Sequence, residues 1–447
     1  MRQKLPYHTY TARRGVQVIA LGALLIGGLT MTLSYTRPAP KKVIVVGAGI
    51  SGLSAARDLH DKGHQATVLE AKDVIGGRIQ STQVGGQRYE LGASFIHGNQ
   101  QNPVASILES EGVILAKVDF DDIVVYKDGK QTEINDDLDP FFSFVETQKD
   151  RLAKDQSLLT TWQSYKASRS PKANELLYRL QIDNQTEIGT DLANISTQQY
   201  WEEGELKGGD YLVTGDYSSV IKNLAAGLDI RLSHIVSSIQ DTGKNVIVTC
   251  KDGKTFVGDD VIVTVPLGVL QKGSITFEPT LPTAKQQAVQ HLKMGNLHKT
   301  FLTFDTPFWD NVTTIGIMRS NGTKWGEFIN LMPATGKPTL LALHGGTDAT
   351  SLEGLSEAAI GQRAYEVLKS AYPQAKPPIT TVTSKWYADP FTLGSYSYVP
   401  PGASLSMYDD IAKPYGHIHF AGEHTHSTYP STTHGAYLSG KRAASEI

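Results

Sequence analysis

The chain has 447 residues, which is long enough for two domains that each have a full hydrophobic core. Its formal net charge of −3 provides no bulk electrostatic attraction to nucleic acid, and 19% charged residues with 42 glycines exclude a disordered chain. Cys250 is the only cysteine, so neither an intrachain disulfide nor a cysteine metal cluster can form. Its apolar neighbours predict a buried, inert thiol in a strand.

The first forty residues are predicted to lie outside the folded protein. Basic residues, ending in Arg13 and Arg14, precede an apolar stretch at residues 16–33. A stretch of about 18 apolar residues suits either a membrane anchor or the apolar region of an export signal. The arginine pair resembles a twin-arginine signal, but no clean Ala-x-Ala cleavage site precedes Lys41, so both alternatives stay open. Either one predicts an exported or membrane-anchored protein on the outer side of the cytoplasmic membrane.

The first strand of the fold is predicted at Val43–Val46, a β-branched run typical of a strand buried on both faces. Gly47, Gly49 and Gly52 follow in G-x-G-x-x-G spacing, directly before a run of helix formers. In such a turn the first glycine allows a tight bend, the second lets backbone approach a pyrophosphate, and the third lets the helix pack on the strand. The free N–H groups at the start of the helix then face the phosphates.

A second predicted strand, Ala66–Leu69, ends in Glu70, about twenty residues beyond the glycines. A carboxylate at this place can accept both ribose hydroxyls of an adenosine and repels a 2′-phosphate. The sequence therefore predicts a dinucleotide site. The alternative is a structural turn that binds nothing, because Gly-rich turns are common in α/β proteins.

Two further glycines and an arginine distinguish FAD from NAD. Gly76, Gly77 and Arg78 come just past the second strand, where the arginine can neutralise a phosphate or contact a flavin ring. This segment resembles the G-G-R segment of the FAD-dependent amine oxidases. Such a segment is not expected in an NAD-dependent dehydrogenase.

The next motif resembles one branch of that family more closely. Residues 91–98 have the sequence L-G-A-S-F-I-H-G, which is similar to the polyamine oxidases. The small Ala93 and Ser94 let the backbone pass close to a flat ligand. The resemblance implies that His97 lies in the substrate channel near the flavin; the alternative is a structural histidine that bonds to loop backbone.

Residues 102–208 are predicted to form a mostly helical insertion of a substrate domain, with helices at Asp139–Leu152 and Ser170–Ile182. Acidic residues along a channel would attract a polycation, although most such runs are only solvated surface. One cluster is expected to matter, and the last is the best placed because the chain there returns towards the flavin domain. The three clusters are Asp119, Asp121 and Asp122; Asp136, Asp137 and Asp139; and Glu202, Glu203, Glu205 and Asp210.

After the insertion the chain is predicted to rebuild the flavin domain, with a capped helix at Asp216–Leu224 and several short strands. The resemblance implies that the backbone of Val236 binds the adenine. The segment Val261–Leu270 is predicted to contain a buried strand, which ends where Pro266 and Gly268 occur. The second half of this segment resembles the family's V-P-L-G-V-L segment, which closes over the dinucleotide.

Lys299 precedes the apolar strand Phe301–Phe304, where a solvated charge is a poor explanation. Its segment resembles the G-N-x-x-K segment of the polyamine oxidases and lysine-specific histone demethylases, which implies that Lys299 bonds a water facing flavin N5. A buried ammonium has a readily shifted pKa and can organise the water that receives the dioxygen chemistry. The alternative is an ordinary edge-strand lysine.

Strands and a helix between residues 308 and 372 are predicted to complete the substrate domain. The resemblance then implies that Trp386 packs by the isoalloxazine. Gly394 stands where monoamine oxidases carry a cysteine joined to the flavin, and Ser395 stands where they carry a tyrosine. These departures imply non-covalent FAD and argue against a compact aromatic monoamine as the preferred substrate.

The C-terminal motifs are Gly422-Glu423 after a strand and Tyr429 ahead of a helix. In the family the glutamate holds the ribityl or pyrophosphate region, and backbone N–H groups near Thr432 and Thr433 point at the flavin's pyrimidine oxygen. Tyr429 matches the aromatic wall against the substrate amine. The nearby histidines lack the spacing of a metal site, so no metal is predicted.

Together these motifs predict an α/β protein with the flavin amine oxidase fold, preceded by the apolar export or anchor helix within residues 1–40. A Rossmann-like FAD-binding domain (residues 41–95, 212–295 and 385–447) is interleaved with an α+β substrate-binding domain (residues 96–211 and 296–384). The predicted catalytic residues are Lys299, Tyr429 and His97. The predicted FAD-binding residues are Gly47, Gly49, Ser51, Gly52, Glu70, Lys72, Gly77, Arg78, Ala93, Ser94, Val236, Trp386, Gly422, Glu423, Thr432 and Thr433.

The predicted activity is oxidation of a polyamine-type amine by hydride transfer to flavin N5, with O2 reduced to H2O2 and the imine hydrolysed to an aldehyde. One alternative is a monoamine or L-amino-acid oxidase, although no arginine that would clamp a carboxylate is evident near the flavin motifs. Another is a non-catalytic flavin-binding membrane protein. The expected partners are a small amine and O2, with membrane association through residues 16–33 and no nucleic acid.

Overall fold

The structure is a computed structural model that describes residues 39–133, 137–165, 172–319 and 326–447. The predicted export or anchor segment at residues 16–33, and Asp136 of the second acidic cluster, lie outside these ranges. Within the ranges, no helix has both the length and the apolar character needed to cross a membrane. Residues 41–447 form one compact unit.

The strands have the following bounds: β1 Lys42–Val46, β2 Gln65–Leu69, β3 Ser81–Val84, β4 Gln87–Glu90, β5 Phe95–His97, β6 Leu115–Val118, β7 Ile123–Lys127, β8 Lys130–Gln131, β9 Asp210–Val213, β10 Asp229–Arg231, β11 Val236–Asp241, β12 Val246–Cys250, β13 Thr255–Gly258, β14 Asp260–Val263, β15 Thr276–Glu278, β16 Lys293–Gly295, β17 Leu297–Thr303, β18 Thr314–Met318, β19 Glu327–Asn330, β20 Thr339–Gly345, β21 Thr380–Thr383, β22 Tyr396–Tyr398 and β23 Ile418–Phe420.

The helices have the following bounds: α1 Ile50–Asp61, α2 Pro103–Ser110, α3 Asp139–Arg151, α4 Leu158–Ser164, α5 Ala173–Glu187, α6 Ser219–Ala225, α7 Leu267–Gln271, α8 Thr283–His291, α9 Met332–Thr335, α10 Gly346–Thr350, α11 Glu357–Ala371, α12 Ser406–Ala412 and α13 Thr433–Ser445.

A five-stranded parallel sheet, in the order β10-β2-β1-β14-β23, carries the glycine turn. Its central strand β1 is covered on both faces, as its β-branched sequence predicts. Val43 and Val45 pack among helices that include α1 and α13, whereas Ile44 and Val46 pack towards the four-stranded sheet β13-β12-β11-β15. The strands come from segments far apart in the chain, so an insertion must separate them.

A seven-stranded sheet, in the order β21-β17-β20-β19-β18-β7-β8, lies in the part of the chain assigned to substrate binding. Successive residues of β17 face opposite sides, so Leu302 packs against the helix α11 cluster and Phe301 packs against Tyr89 of β4. Lys299 shares the face of Phe301, which directs its side chain towards β4. β17 lies between β20 and β21 and is not an edge strand.

Two details of the predicted elements are wrong. Residues 115–131 lie inside the insertion predicted to be mostly helical, but they form three strands. Strand β6 belongs to the three-stranded sheet β5-β9-β6, and strands β7 and β8 belong to the seven-stranded sheet. The strand predicted at Val261–Leu270 ends at Val263, and Leu267 begins helix α7. Pro266 explains the second error, because it has no N–H to donate to a sheet and its fixed φ suits the start of a helix. The domain boundaries stay a prediction.

Candidate active site

The glycine turn between β1 and α1 is as tight as its sequence predicts. Gly47 has a φ of +109°, which favours glycine, and a Cβ at Gly52 would lie 2.0 Å from the carbonyl oxygen of Gly47. A Cβ at Gly49 would meet no heavy atom within 4 Å, and no side chain caps the start of α1. The helix therefore presents free N–H groups over an open backbone, which suits an anionic group such as a pyrophosphate.

Glu70 is tied to this turn. Its Oε2 accepts a hydrogen bond from the backbone N–H of Ala48 at 2.7 Å, and its Oε1 accepts one from that of Lys72 at 2.9 Å. Burial raises the pKa of Glu70, and the two backbone N–H groups oppose that rise. A carboxylate accepts about four hydrogen bonds, so capacity remains for ribose hydroxyls.

Two other predicted cofactor residues lie beside Glu70. The Lys72 ammonium pairs with the Asp389 carboxylate at 2.8 Å. The backbone N–H of His234 donates to the carbonyl oxygen of Glu70 at 2.8 Å, which brings the chain to Val236, the first residue of β11. The residues predicted to contact the ribose and the adenine therefore lie near the carboxyl end of strand β2.

Half-buried Arg78 and buried Glu423 form an ion pair with an Nη1–Oε1 distance of 2.9 Å. The second oxygen of Glu423 accepts from the Ser397 hydroxyl at 2.6 Å and from the Ser431 N–H at 3.1 Å. Burial alone would raise the pKa of Glu423, but Arg78 and these donors hold it below its ordinary value. Since both carboxylate oxygens are engaged by the protein, Glu423 would act on a cofactor through Arg78, which follows Gly77 with its positive φ of 59°.

The start of helix α13 is built by threonines. Thr432 is the N-cap, and its hydroxyl accepts from the Gly435 N–H at 2.9 Å. The Thr433 hydroxyl lies 2.9 Å from that of Tyr217, which is fully buried. Side-chain capping fixes the direction in which the first N–H groups point.

Helices α13 and α1 also meet through serines. The hydroxyls of Ser51 and Ser439 are 3.2 Å apart, and Ser439 accepts from the Gly422 N–H at 2.9 Å. Three predicted cofactor segments, the glycine turn, Gly422-Glu423 and the start of α13, are thereby joined in one packed unit.

The side chain of Lys299 is buried, with 5% of the residue exposed. Its ammonium donates to the carbonyl oxygens of Glu90 and Gly92 and to the hydroxyl of Ser94. These partners belong to one stretch of chain, residues 90–94, named here the 90–94 segment. Burial lowers the pKa of Lys299 to about 7, and the charge of Glu90 opposes that shift. The alternative of an ordinary edge-strand lysine is wrong.

The bonding of Lys299 limits how it can hold a water. An ammonium has three N–H donors, and all three have acceptors in the 90–94 segment. A water would bond to the lone pair of the neutral amine or share one of these donors. Trp386 borders the same segment, since its Nε1 donates to the Leu91 carbonyl at 3.2 Å. Ala93 and Ser94, two of the predicted FAD-binding residues, also belong to the 90–94 segment.

His97 faces acidic groups. Its Nδ1 lies 2.9 Å from Oδ1 of Asp210 on the neighbouring strand β9, and its side chain is 63% exposed. Partial removal from water lowers the pKa of His97, but the bond to Asp210 and the charges of Glu187 and Glu205 outweigh this and raise it. Glu187 ends helix α5 and was not predicted.

Tyr429 belongs to an aromatic cluster. Its ring meets that of His434 edge-on at a centroid distance of 5.0 Å and that of His426 at 5.3 Å. A Cβ at Gly204 would lie 3.3 Å from Cε1 of Tyr429, so the last acidic cluster passes beside this ring. Burial, and the charges of His97 and His426, lower the pKa of His434 to about 4. His97 and Tyr429 therefore have His434 as a common neighbour.

The structure does not join all three predicted catalytic residues directly. Within the described ranges, Lys299, Tyr429 and His97 share no hydrogen bond with one another. The Phe95 ring lies near both Lys299 and His97, at 5.8 Å and 6.3 Å from its centroid. Carboxylates of the other two acidic clusters bond to the protein: Asp119 accepts from the Asp121 N–H, Asp122 accepts from the Thr313 N–H, and Asp137 accepts from the Asp139 N–H.

Glu90 is a functional candidate that the sequence analysis missed. It directly precedes the quoted motif and ends β4, whose polar sequence Gln-Arg-Tyr-Glu gives no signal of a buried carboxylate. Asp210 was named only as the end of an acidic run, because its pairing with His97 depends on the register between β5 and β9.

Comparison with known proteins decides the family. The model of the flavin containing amine oxidoreductase family matches residues 50–447. The chain belongs to this family. It is an amine oxidase enzyme, and its cofactor is non-covalent FAD. The only cysteine, Cys250, is 2% exposed within β12, in agreement with the absence of a covalent thiol link.

The relatives include polyamine oxidases. Probable polyamine oxidase 4 of Arabidopsis thaliana is 35% identical over 428 residues, which cover 90% of this chain and 86% of that protein. Polyamine oxidase 3 of Oryza sativa subsp. japonica is 34% identical over 426 residues, covering 90% and 88%. Lysine-specific histone demethylase 2 of Homo sapiens is 32% identical over 438 residues, covering 91% and 53%. The predicted family, enzyme class and cofactor are confirmed.

Proposed function

We propose that this protein oxidises a polyamine at a carbon next to nitrogen. FAD, when bound, would supply the redox chemistry: it would accept a hydride from the amine, leaving an imine that water hydrolyses to an aldehyde, and its electrons would reduce O2 to H2O2. The proposal is supported by the relatives named polyamine oxidase and by the acidic surroundings of His97.

The acidic surroundings of His97 are the observation that carries the proposal. Asp210 lies 2.9 Å from the imidazole, and the charges of Glu187 and Glu205 act on the same ring. A polyamine has a second ammonium several bonds from the reacting nitrogen, and these carboxylates can hold it. A compact monoamine has no such second charge, so this arrangement favours a polycation.

The other side chains position the reacting end. Tyr429, held by His426 and His434, offers a fixed ring face against the amine. Lys299 holds the 90–94 segment and, with a pKa near neutrality, exchanges a proton readily. Gly49, Glu70 and Arg78 would hold the pyrophosphate, the ribose and the flavin end of FAD.

An amine panel tests the proposal. Purified protein is mixed with spermine, spermidine, their acetyl forms, benzylamine and L-leucine, and H2O2 release and anaerobic flavin bleaching are measured. We expect bleaching by one or more polyamines and little by benzylamine or L-leucine. Turnover of the monoamine or amino acid alone would refute the polyamine assignment while leaving the amine oxidase family intact.

A matched pair of variants tests the carboxylates. Glu205→Gln should raise the KM for a polyamine about tenfold or more, which corresponds to loss of one charge-assisted bond, and leave the KM for a monoamine unchanged. Glu109→Gln, an exposed carboxylate on α2, is the control and should change neither. Equal effects on both amines would contradict a role for Glu205 in holding the distal charge.

We further propose that residues 1–40 export or anchor the protein, with support from their sequence alone. Arg13 and Arg14 precede the apolar stretch at residues 16–33. Cell fractionation of the full chain and of an Arg13→Lys, Arg14→Lys variant tests this. Retention of both proteins in the cytoplasm would refute it.

A further inference from the structure

Glu90 is a buried carboxyl group that the proposed chemistry does not use. It ends strand β4 with 7% of its surface exposed. Its Oε1 accepts a long hydrogen bond of 3.3 Å from the Tyr217 N–H. Its Oε2 is buried and has no hydrogen-bond partner among the described residues. A buried ionised oxygen without a donor is costly, so a nearby positive charge must compensate it or the group must hold a proton.

Lys299 is the positively charged group that most favours the ionised form of the Glu90 carboxyl. The Glu90 carbonyl oxygen accepts from the Lys299 ammonium, and the two other acceptors of that ammonium, Gly92 and Ser94, lie on the same segment. The ammonium is therefore held against the backbone of the residue that carries the carboxyl group, without a direct contact between the two charged groups. Among the described residues, Glu90 is the one acidic group whose charge acts on Lys299.

The other charged groups that face Glu90 are already paired. Arg88, on the same strand, forms an ion pair with Asp216 at 3.1 Å, and Asp216 also pairs with Lys222 at 2.6 Å. Arg88 favours the ionised carboxylate and Asp216 disfavours it, so their effects on Glu90 oppose each other. The charge of Lys299 is the one that this arrangement leaves to balance Glu90.

We propose that Glu90 is the counterion of Lys299, so that the ionised carboxylate favours the protonated lysine and Glu90 sets the protonation of the lysine. Glu90 is thereby a positioning residue, and this inference rests on the role proposed for Lys299 beside the flavin. Burial raises the pKa of Glu90 to about 7 and lowers that of Lys299 to about 7, and each group's charge opposes the shift of the other. A proton can therefore move onto or off this pair near neutral pH.

A double-mutant cycle in thermal melting tests the pair without any turnover. FAD-loaded wild type, Glu90→Gln, Lys299→Met and the double variant are melted at neutral pH. Each single change strands one buried charge, so we expect the double variant to melt no lower than the less stable single variant. Additive losses of melting temperature would overturn the proposal. If Glu90→Gln does not fold, the expectation becomes that Lys299→Met restores its folding, and failure to restore it overturns the proposal.

Tyr217→Phe is the matched control. It removes the hydroxyl that contacts Thr433 but keeps the backbone N–H bonded to Glu90 and both charges. Its effect should add to that of Lys299→Met. Coupling of the same size as that of Glu90 would assign the effect to packing and overturn the charge pairing.

A second experiment tests whether Glu90 and Lys299 affect the reaction of the reduced enzyme with O2. The rate at which reduced enzyme reacts with O2 is measured against pH, and Glu90→Gln should move the apparent pKa of that profile down by about one unit, because the lysine loses its counterion. An unshifted profile with a normal rate overturns the proposal. A protein that is inactive towards every amine but shows the melting coupling would refute the proposed substrate and retain the charge pair.

Discussion

At the scale of single residues, the burial of Lys299 explains why its proton is labile. Three acceptors from the 90–94 segment hold its ammonium in place, while removal from water brings its pKa to about 7. A lysine with these properties can hold a positive charge at one stage of a reaction and release a proton at another.

Lys299→Met should slow the reaction of reduced enzyme with O2 by about 10²-fold or more, the usual size of a lost proton-transfer group. Methionine fills similar space, so FAD should stay bound and the protein should stay yellow. Stopped-flow mixing of reduced enzyme with O2 measures the rate. Lys293→Met, which alters an exposed lysine on β16, is the control. An unchanged rate in Lys299→Met would contradict the lysine's role and leave FAD binding untouched.

The pH dependence of polyamine binding should contain the titration of His97. The pKa of His97 is raised, so its positive charge persists to higher pH than usual and repels a cationic substrate held by the surrounding carboxylates. As pH rises through that pKa the charge disappears, and KM should fall. Asp210→Asn removes the partner that raises the pKa and should move this fall about one pH unit or more towards acid.

Steady-state KM profiles of wild type and Asp210→Asn decide the matter. His97→Asn is the reference, because it should lose this component of the profile altogether. A component that persists unshifted in His97→Asn would assign the titration to another group.

At the scale of elements, the contact between α1 and α13 depends on a glycine. A Cβ at Gly440 would lie 2.1 Å from the carbonyl oxygen of Ser51 and 2.1 Å from the hydroxyl of Ser54. The two helices approach this closely because no side chain separates them. Their contact fixes the glycine turn, at the start of α1, against the threonines that begin α13.

Gly440→Ala should therefore lower the free energy of unfolding by about 1–3 kcal/mol and reduce FAD content, since backbone must move to admit the methyl group. Thermal melting and the ratio of flavin to protein absorbance measure both effects. Gly354→Ala is the control, because a Cβ there would meet no heavy atom within 4 Å. Equal melting temperatures for the two variants would contradict the close helix contact.

At the scale of the whole molecule, a buried charge cluster links the parallel sheet to the C-terminal helix. Asp260 of β14 contacts Lys41 at 3.0 Å and His419 of β23 at 3.5 Å, and His419 bonds to Glu446 at 2.8 Å. Burial opposes ionisation of both central groups, but their partners outweigh it, so the pKa of Asp260 is lowered and that of His419 is raised.

The sign of each shift sets the pH at which this cluster stabilises the fold. The contribution of His419 is fully present below its ordinary pKa of 6.5 and is lost as pH rises through its raised folded value. The contribution of Asp260 is present above its ordinary pKa of 3.8 and is lost as pH falls through its lowered folded value. The two overlap most fully between those ordinary values.

His419→Gln should therefore cost most stability near pH 5 and progressively less as pH rises beyond the folded pKa of His419. Melting temperatures of wild type and variant at several pH values, with FAD in excess, measure the difference. A difference that grows with pH would show that neutral His419, and not its charged form, contributes the stability.

The sequence by itself determined the family, the cofactor and most of the local elements. The glycine turn, the strand of valines before it and the helix Asp139–Arg151 follow from the needs of neighbouring residues: tight backbone approach, burial on both faces and helical periodicity. Such rules act within a few positions along the chain, so a sequence states them directly.

Only the tertiary structure decided which side chains meet. Residues 115–131 form strands because partners far away in the chain complete their sheets. Lys299 meets the 90–94 segment, His97 meets Asp210, and Glu90 lies beside a lysine about two hundred positions away because of strand order and register. The protonation of these groups depends on burial and on charges brought together by folding, and no local pattern in a sequence contains either quantity.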